Sequence, residues 1–121
     1  HSLVDAIFGA AGAGDIGRHF PNTDPAWKDA PGLDLLARGV AIVRGLGWRV
    51  VNVDATILLE QPKLAPVIDE LRARLAPILG VDVGAVSVKG KTNEGVDAVG
   101  RGEAIAAHAA AMLAPIEGAT R

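Results

Sequence analysis

A chain of 121 residues, half of them hydrophobic but only 3% aromatic, predicts one domain with a core of Ala, Val, Leu and Ile. The net charge of −2 argues against a general nucleic-acid surface, and the lack of cysteine excludes disulfides and thiolate metal sites, as in a reducing cytosol. No apolar run approaches the ~20 residues of a membrane span, and no signal peptide is visible.

The first third of the chain predicts two helices joined by a loop. Residues 1–13 and residues 33–46 each place apolar side chains on one face, and glycines end both helices. Between them we expect a tight turn over residues 14–17 and a surface loop over residues 20–25. Because the helical pattern is already under way at His1 without a cap, we expect that other residues precede it in the natural protein.

Residues 48–59 give the clearest strand pattern, since apolar and polar residues alternate along them. The apolar face is Val51, Val53, Ala55 and Ile57, and the polar face is Asn52, Asp54 and Thr56. The polar face carries no Lys or Glu, which fits a subunit contact or a wet channel as well as ordinary solvent.

The second half predicts a helix, a strand and a final helix. A third helix begins near Pro66 and ends at Gly80. Residues 83–89 predict a second strand with Val86 and Val88 facing inward. Residues 103–114 are rich in alanine and predict a last helix, with Ile105, Ala109 and Met112 on one face.

The loop over residues 89–103 concentrates the charged and polar chemistry. The segment Gly100-Arg101-Gly102 suits a phosphate at a helix start, and Glu94 suits either a Mg²⁺ ion or a capping role. The three histidines form no metal motif: we expect His108 to be structural and His19 to be solvated. No nucleophile elbow or Walker loop is present. The residues alone therefore indicate an α/β domain suited to a phosphorylated small molecule.

Several short blocks together carry a more specific resemblance. They are His1-Ser2-x-x-Asp5-Ala6, Gly14-Asp15-Ile16-Gly17, Phe20-Pro21-x-Thr23-Asp24-Pro25, Asn52-Val53-Asp54, Gln61-Pro62-Lys63, Thr92-x-Glu94 and Gly100-Arg101-Gly102-Glu103. In order and spacing they resemble the 2-C-methyl-D-erythritol 2,4-cyclodiphosphate synthase family. The resemblance implies an α+β fold of two layers, with a mixed β-sheet covered on one face by helices and related to ferredoxin-like folds. The matching blocks run from His1 to about Leu113, and we expect residues 1–121 to form a single domain of this family.

The resemblance implies a phosphorus–oxygen lyase of non-mevalonate isoprenoid synthesis. In this family the 2-phosphate of 4-diphosphocytidyl-2-C-methyl-D-erythritol 2-phosphate attacks the β-phosphorus of the same molecule, and CMP leaves. The family uses a zinc ion and a second ion, Mg²⁺ or Mn²⁺, and forms a homotrimer with sites at subunit interfaces. It implies no nucleic-acid or membrane partner, and a location in the bacterial cytoplasm or in a plastid.

The resemblance also implies roles for individual residues. His1 matches a zinc ligand, Glu94 the carboxylate facing the second metal, and Thr92 the residue that binds the α-phosphate; Thr92 and Glu94 are the expected catalytic residues. The substrate-binding residues implied are Asp15, Ile16 and Gly17 for the ribose; Phe20, Pro21, Asn22, Thr23 and Asp24 for the methylerythritol phosphate; Leu59, Glu60, Gln61, Pro62, Lys63, Leu64 and Ala65 for the cytosine; and Lys91, Thr92, Asn93, Glu94, Ala98 and Arg101.

The chain departs from the family pattern at its start. The Asp-x-His pair that supplies the other two zinc ligands is absent, and a catalytic zinc site needs three protein ligands. Asn22 and the Lys91-Thr92-Asn93 run are milder substitutions. We therefore expect little turnover from these 121 residues alone. The alternative is a noncatalytic trimeric scaffold that binds a cytidine nucleotide or an isoprenoid diphosphate.

Overall fold

The computed structural model describes residues 1–27 and 29–118. Helix α1 spans Ser2–Ala10, α2 Ile16–His19, α3 Gly32–Gly45, α4 Ile68–Leu79 and α5 Asp97–Gly100. Strand β1 spans Trp48–Leu58, β2 Val86–Lys91 and β3 Ala106–Pro115. Short 3₁₀ turns at Ala65–Val67 and Val83–Ala85 precede α4 and β2. In the described residues, no helix is long and apolar enough to cross a membrane.

The three strands form a mixed sheet in the order β2-β1-β3. Strand β1 pairs in parallel with β2, with α4 between them in the chain, and antiparallel with β3. A register shift lies between Val50 and Asn52. This irregularity corrects the predicted inward face, because Val50 is buried in place of Val51, which is only half-buried.

The largest error of the sequence analysis is the predicted helix over residues 103–114. Residues 106–115 form β3, and Ile105 and Met112, expected on one face of that helix, are 66% and 60% exposed. Alanine favours a helix in isolation, but here the unpaired edge of β1 supplies a ladder of hydrogen bonds, so the tertiary context overrides propensity. His108 consequently lies on a strand, opposite Thr56, and not on a helix.

Smaller corrections concern the ends of the predicted elements. The expected turn over residues 14–17 is the start of α2, because Asp15 caps it. The second strand starts at Val86, since residues 83–85 form a 3₁₀ turn. Gly80 ends α4 with a positive φ of 73°, as expected for a C-terminal glycine.

Helices and sheet enclose one apolar core. Its most deeply buried side chains are Phe8, Ile7, Leu79, Val4, Val43 and Val86. Gly39 lets α1 and α3 approach closely, because a Cβ there would lie 3.2 Å from Val4 Cγ1 and 3.4 Å from the Phe8 ring. The core thus fixes the first helix, and with it His1, against the rest of the domain.

Candidate functional site

A cavity of about 540 Å³ lies beside the N-terminus of α1. It is lined by His1, by α2 and by the loop that follows α2. Its lining residues are His1, Ile16, Gly17, Phe20, Pro21, Asn22, Thr23, Trp27, Asp29, Ala30 and Leu35. The cavity therefore brings together residues that the sequence analysis assigned to three different family blocks. We call it the N-terminal cavity.

The α2 turn at this cavity is held by two carboxylates. Asp5 Oδ1, on α1, accepts a hydrogen bond of 2.7 Å from the backbone amide of Ile16. Asp15 Oδ1 accepts a hydrogen bond of 2.9 Å from the backbone amide of Arg18 and so caps α2. Because these bonds use the free amides of the first helical turn, they fix the orientation of Gly17 relative to α1.

The loop after α2 is anchored by aromatic packing. Phe20 is only 7% exposed, and its ring centre lies 5.0 Å from that of Trp27 and 6.1 Å from that of Phe8. Arg38 stacks over the Trp27 ring at 4.8 Å. The Phe20 ring thus packs into the core and anchors the loop, while Asn22 and Thr23 line the cavity.

Two expected site residues lie outside the lining of this cavity. The Asp15 carboxylate caps α2, and Asp24 Oδ1 accepts a hydrogen bond of 2.9 Å from the backbone amide of Ala26 in the loop. His19, expected to be solvated, is half-buried: its ring lies 4.3 Å from that of Phe8, and Nε2 is 2.7 Å from the carbonyl oxygen of Ala13. That histidine holds the turn against α1.

A second cavity, of about 140 Å³, lies where β1 and β2 end. Its lining residues are Leu59, Glu60, Pro62, Lys63, Leu64, Ala65, Ile68, Gly90, Lys91 and Thr92. The amide of Leu59 donates 2.9 Å to the carbonyl of Lys91, and a Cβ on Gly90 would lie 3.2 Å from Leu64 Cβ. Parallel pairing brings both loops to one sheet edge. We call this the strand-end cavity; Gln61 is not in its lining.

The loop after β2 turns sharply at Glu94. Glu94, Gly95 and Asp97 have positive φ angles of 52°, 75° and 63°. The amide of Glu94 lies 3.4 Å from Thr92 Oγ1, and Asn93 Nδ2 donates 2.7 Å to the carbonyl of Val96. The Glu94 side chain is exposed, as a carboxylate facing an ion and a substrate would need to be.

The end of this loop folds back on its beginning. A Cβ on Gly100 would overlap the backbone of Gly95, so only glycine lets α5 close against the turn. The carbonyl oxygen of Ala98 accepts a hydrogen bond of 2.8 Å from the amide of Glu103, and Arg101 Nε lies 3.2 Å from Glu103 Oε1. Gly100-Arg101-Gly102 follows a short helix and leads into a strand, which corrects the predicted phosphate site at a helix start.

The described residues contain no group of three or more His, Cys, Asp or Glu side chains placed to hold a metal ion. His1 is therefore a single candidate ligand, which does not fit a zinc site by itself. Glu94 fits a magnesium-type ion better, because such ions take one or two carboxylates and complete their shell with water and phosphate oxygens.

A charged pair lies on the sheet face away from the core. Lys89 Nζ donates 2.9 Å to Asp54 Oδ2. This hydrogen bond, followed by that of the Ser87 side chain, holds the pKa of Asp54 below its ordinary value. Thr56 pairs with Lys89 and His108 in neighbouring strands. On this face the Asp54 carboxylate is thus paired with Lys89 through Oδ2, while its Oδ1 is buried with no hydrogen-bond partner among the described residues.

An apolar cavity of about 470 Å³ also borders His1. It lies between α1, α3, α4 and the sheet, and Ile57, Leu71 and Ile105 are among its lining residues. Of its described lining residues only His1 is titratable. Apart from His1 and Ser2 its described lining is aliphatic or glycine, which suits a phosphate poorly, so we assign it no part in the site.

The sequence analysis missed the contribution of two residues. Asp5 was quoted within a motif but given no role, because a carboxylate in a first helical turn has the ordinary explanation of the helix dipole. Glu60 was assigned to a nucleotide-binding segment, yet its Oε1 accepts hydrogen bonds from the loop that carries Glu94. No local pattern predicts either contact, since each joins residues far apart in the chain.

The comparisons with known proteins agree with one another. The model of the YgbB family matches residues 1–114. The 2-C-methyl-D-erythritol 2,4-cyclodiphosphate synthase of Chromobacterium violaceum is 55% identical over 114 residues, which are 94% of this chain and 72% of that protein. A bifunctional enzyme IspD/IspF of Anaeromyxobacter sp. is 55% identical over 113 residues, 93% of this chain and 29% of that protein.

Solved structures share the fold. The bifunctional IspDF from Campylobacter jejuni matches with a TM-score of 0.89 and 36% identity, over 93% of this chain and 31% of that one. A 2C-methyl-D-erythritol-2,4-cyclodiphosphate synthase in a form bound to CDP matches with a TM-score of 0.85 and 29% identity, over 94% of this chain and 73% of that one. By its residues, its fold and these relatives, the chain belongs to the YgbB family, that of the 2-C-methyl-D-erythritol 2,4-cyclodiphosphate synthases.

Proposed function

We propose that residues 1–121 are one domain of a synthase that cyclises 4-diphosphocytidyl-2-C-methyl-D-erythritol 2-phosphate to the 2,4-cyclodiphosphate. The observation that carries the proposal is the strand-end cavity, where residues 59–65 and the start of the Glu94 loop meet. A synthase with the same fold has been solved in a form bound to CDP. The two loops are the parts expected to bind a nucleotide base and its phosphates.

The reaction needs no covalent intermediate on the protein. An oxygen of the 2-phosphate forms a bond to the β-phosphorus, the bond from that phosphorus to the bridging oxygen breaks, and the electron pair leaves with CMP. Such transfers depend on positioning and on stabilising negative charge. Thr92 would bind the α-phosphate by its hydroxyl, while Lys91 and Lys63 add positive charge at the same cavity.

The N-terminal cavity would hold the rest of the substrate. Gly17 in its lining, with Asp15 just outside it, would bind the ribose, and the loop over residues 20–24, of which 20–23 line the cavity, would contact the methylerythritol phosphate. Asp15 uses Oδ1 in its cap, which leaves Oδ2 as the acceptor for a ribose hydroxyl. The Phe20 anchor supports this role, because its buried ring holds the loop against the core beside the cavity.

The two expected metals differ in how the described residues fit them. Glu94 would hold a magnesium-type ion together with phosphate oxygens, and such an ion neutralises charge on a transferring phosphoryl group. His1 lies at the N-terminal cavity as one zinc ligand, but the described residues supply no set of three. We therefore assign the zinc ion no step.

A homotrimer with sites at subunit junctions accounts for two further observations. The N-terminal cavity and the strand-end cavity share no lining residue, so one chain presents two half-sites. Asp54, on the polar face of β1, forms an ion pair with Lys89 of β2, which balances its charge where another subunit would pack against the sheet. Both observations support a site completed by a second copy.

CMP release tests the proposal. Residues 1–114 should replace the matched segment of the Chromobacterium violaceum synthase, so that the assay has a protein of the relative's length. With Mg²⁺ and Zn²⁺ we expect turnover by the chimera, a decrease of roughly 100-fold for Glu94→Gln, and little turnover by the 121-residue chain. A folded chimera that releases no CMP contradicts the proposal. Calorimetry with CDP separates the scaffold alternative, which predicts binding without turnover.

A further inference from the structure

Glu60 bridges the two loops of the strand-end cavity. Its half-buried side chain follows β1, and Oε1 accepts hydrogen bonds of 3.1 Å from the amide of Asn93 and 3.1 Å from the amide of Gly95. These two amides lie directly on either side of Glu94. One carboxylate oxygen therefore holds the backbone on both sides of the residue expected to face the metal.

The backbone at Glu94 needs such support. A non-glycine residue with φ of 52° lies in the sparsely populated left-handed region, which surrounding contacts must stabilise. Among the described residues, the amide of Glu94 itself has only the long 3.4 Å contact to Thr92 Oγ1. The bonds from Glu60 are charge-assisted and shorter, so they are the stronger restraint on this turn.

We propose that Glu60 is a positioning residue that couples the base-binding segment to the diphosphate loop. Its Oε1 is occupied by two loop amides, so through this atom it acts on Glu94 and not on a base. A nucleotide seated against residues 59–65 then meets a preformed turn at Glu94. The coupling rests on the proposed function for the role of Glu94.

The first test is amide hydrogen exchange of the 121-residue chain without ligand. In Glu60→Ala we expect the Asn93 and Gly95 amides to exchange at least about tenfold faster. In Glu60→Gln the side-chain oxygen remains an acceptor but loses its charge, and we expect exchange rates between those of Glu60→Ala and the wild type. Glu70→Ala, an exposed acidic residue on α4, is the matched control and should change neither amide.

The second test is calorimetry with CDP and Mg²⁺ on the same variants. We expect affinity to fall about tenfold in Glu60→Ala, since ordering the loop then opposes binding, and to recover in part in Glu60→Gln. If Glu60→Ala does not fold, Glu60→Asp keeps the charge but shortens its reach, and we expect faster exchange of the same amides.

Two results overturn the proposal. One is unchanged exchange of Asn93 and Gly95 in Glu60→Ala. The other is weaker CDP binding without any change in exchange, which would make Glu60 a direct ligand. Failure of the wild-type chain to bind CDP would count against the proposed function alone, because the exchange comparison needs no ligand.

Discussion

The hydrogen bond from the Ile16 amide to Asp5 is the contact that ties the α2 turn to the first helix, and its removal has a calculable cost. Asp5→Ala deletes an acceptor at 2.7 Å. A hydrogen bond to a charged group contributes about 1.5–3 kcal/mol, and an exposed one lies at the lower end of that range. The carboxylate also favours the N-terminus of α1 by about 0.5 kcal/mol, but alanine returns a similar amount through its helix propensity. We expect a net loss of about 1.5 kcal/mol.

A matched variant separates the contribution of the hydrogen bond from those of the helix dipole and helix propensity. Asp34 also lies in the first turn of a helix, α3, and no hydrogen bond of its side chain is described. Asp34→Ala therefore changes the dipole and propensity terms alone, and its net effect should be near zero. Asp5→Asn keeps an acceptor oxygen and should lose about half as much stability as Asp5→Ala.

Urea unfolding of the three variants measures the difference. We expect the free energy of unfolding of Asp5→Ala to be about 1.5 kcal/mol below that of Asp34→Ala, at an unchanged m-value. Because the α2 turn carries Gly17, CDP should also bind Asp5→Ala more weakly than Asp34→Ala. Equal stability and equal affinity of the two variants would refute the anchoring role of Asp5.

Two further predictions concern the loop and the sheet face. Gly100→Ala should lower the free energy of unfolding by about 1–3 kcal/mol in a urea titration, because the new Cβ would overlap the Gly95 backbone. Gly84→Ala is the control and should change that free energy little, because a Cβ there meets no atom within 4 Å. Asp54 has a pKa lowered chiefly by its hydrogen bond from Lys89, so its stabilising effect is complete above the unfolded pKa of about 4 and is lost as pH falls through the folded pKa. The free energy of unfolding should therefore fall below about pH 4, and less steeply in Lys89→Ala; identical slopes would contradict the pairing.

Elements with a local pattern could be predicted from the sequence. In β1, α3 and α4 one face of the element packs on the core, so apolar residues recur at the spacing typical of a strand or a helix. That spacing alone predicts these three elements. The end of α4 at Gly80 follows from the left-handed conformation that glycine adopts most easily.

Features that depend on a partner could not be predicted in this way. Residues 106–115 are a strand only because β1 offers its edge, and their alanines alone favour a helix. The shift between Val50 and Asn52 depends on pairing with β3. Contacts of Glu60 with Asn93 and Gly95 span more than thirty residues, so they exist only after β1 and β2 have paired.

The candidate site shows the same division. The family motifs predict which segments carry the chemistry, and the structure brings two of those segments, residues 59–65 apart from Gln61 and the start of the Glu94 loop, to one cavity. The motifs did not indicate that the segments divide between two cavities within one chain, nor that the amides of the Glu94 loop are held by Glu60. Those are three-dimensional facts about hydrogen bonds and pairing.

The most direct measurement of the central claim is phosphorus NMR of the chimera incubated with 4-diphosphocytidyl-2-C-methyl-D-erythritol 2-phosphate and Mg²⁺. Cyclisation and simple hydrolysis both release CMP, but only cyclisation joins the two remaining phosphates in a ring. The account predicts one equivalent of cyclic diphosphate for each CMP, with both products lost in step in Glu94→Gln. CMP accompanied by linear phosphates, or no product from a folded protein, would contradict it.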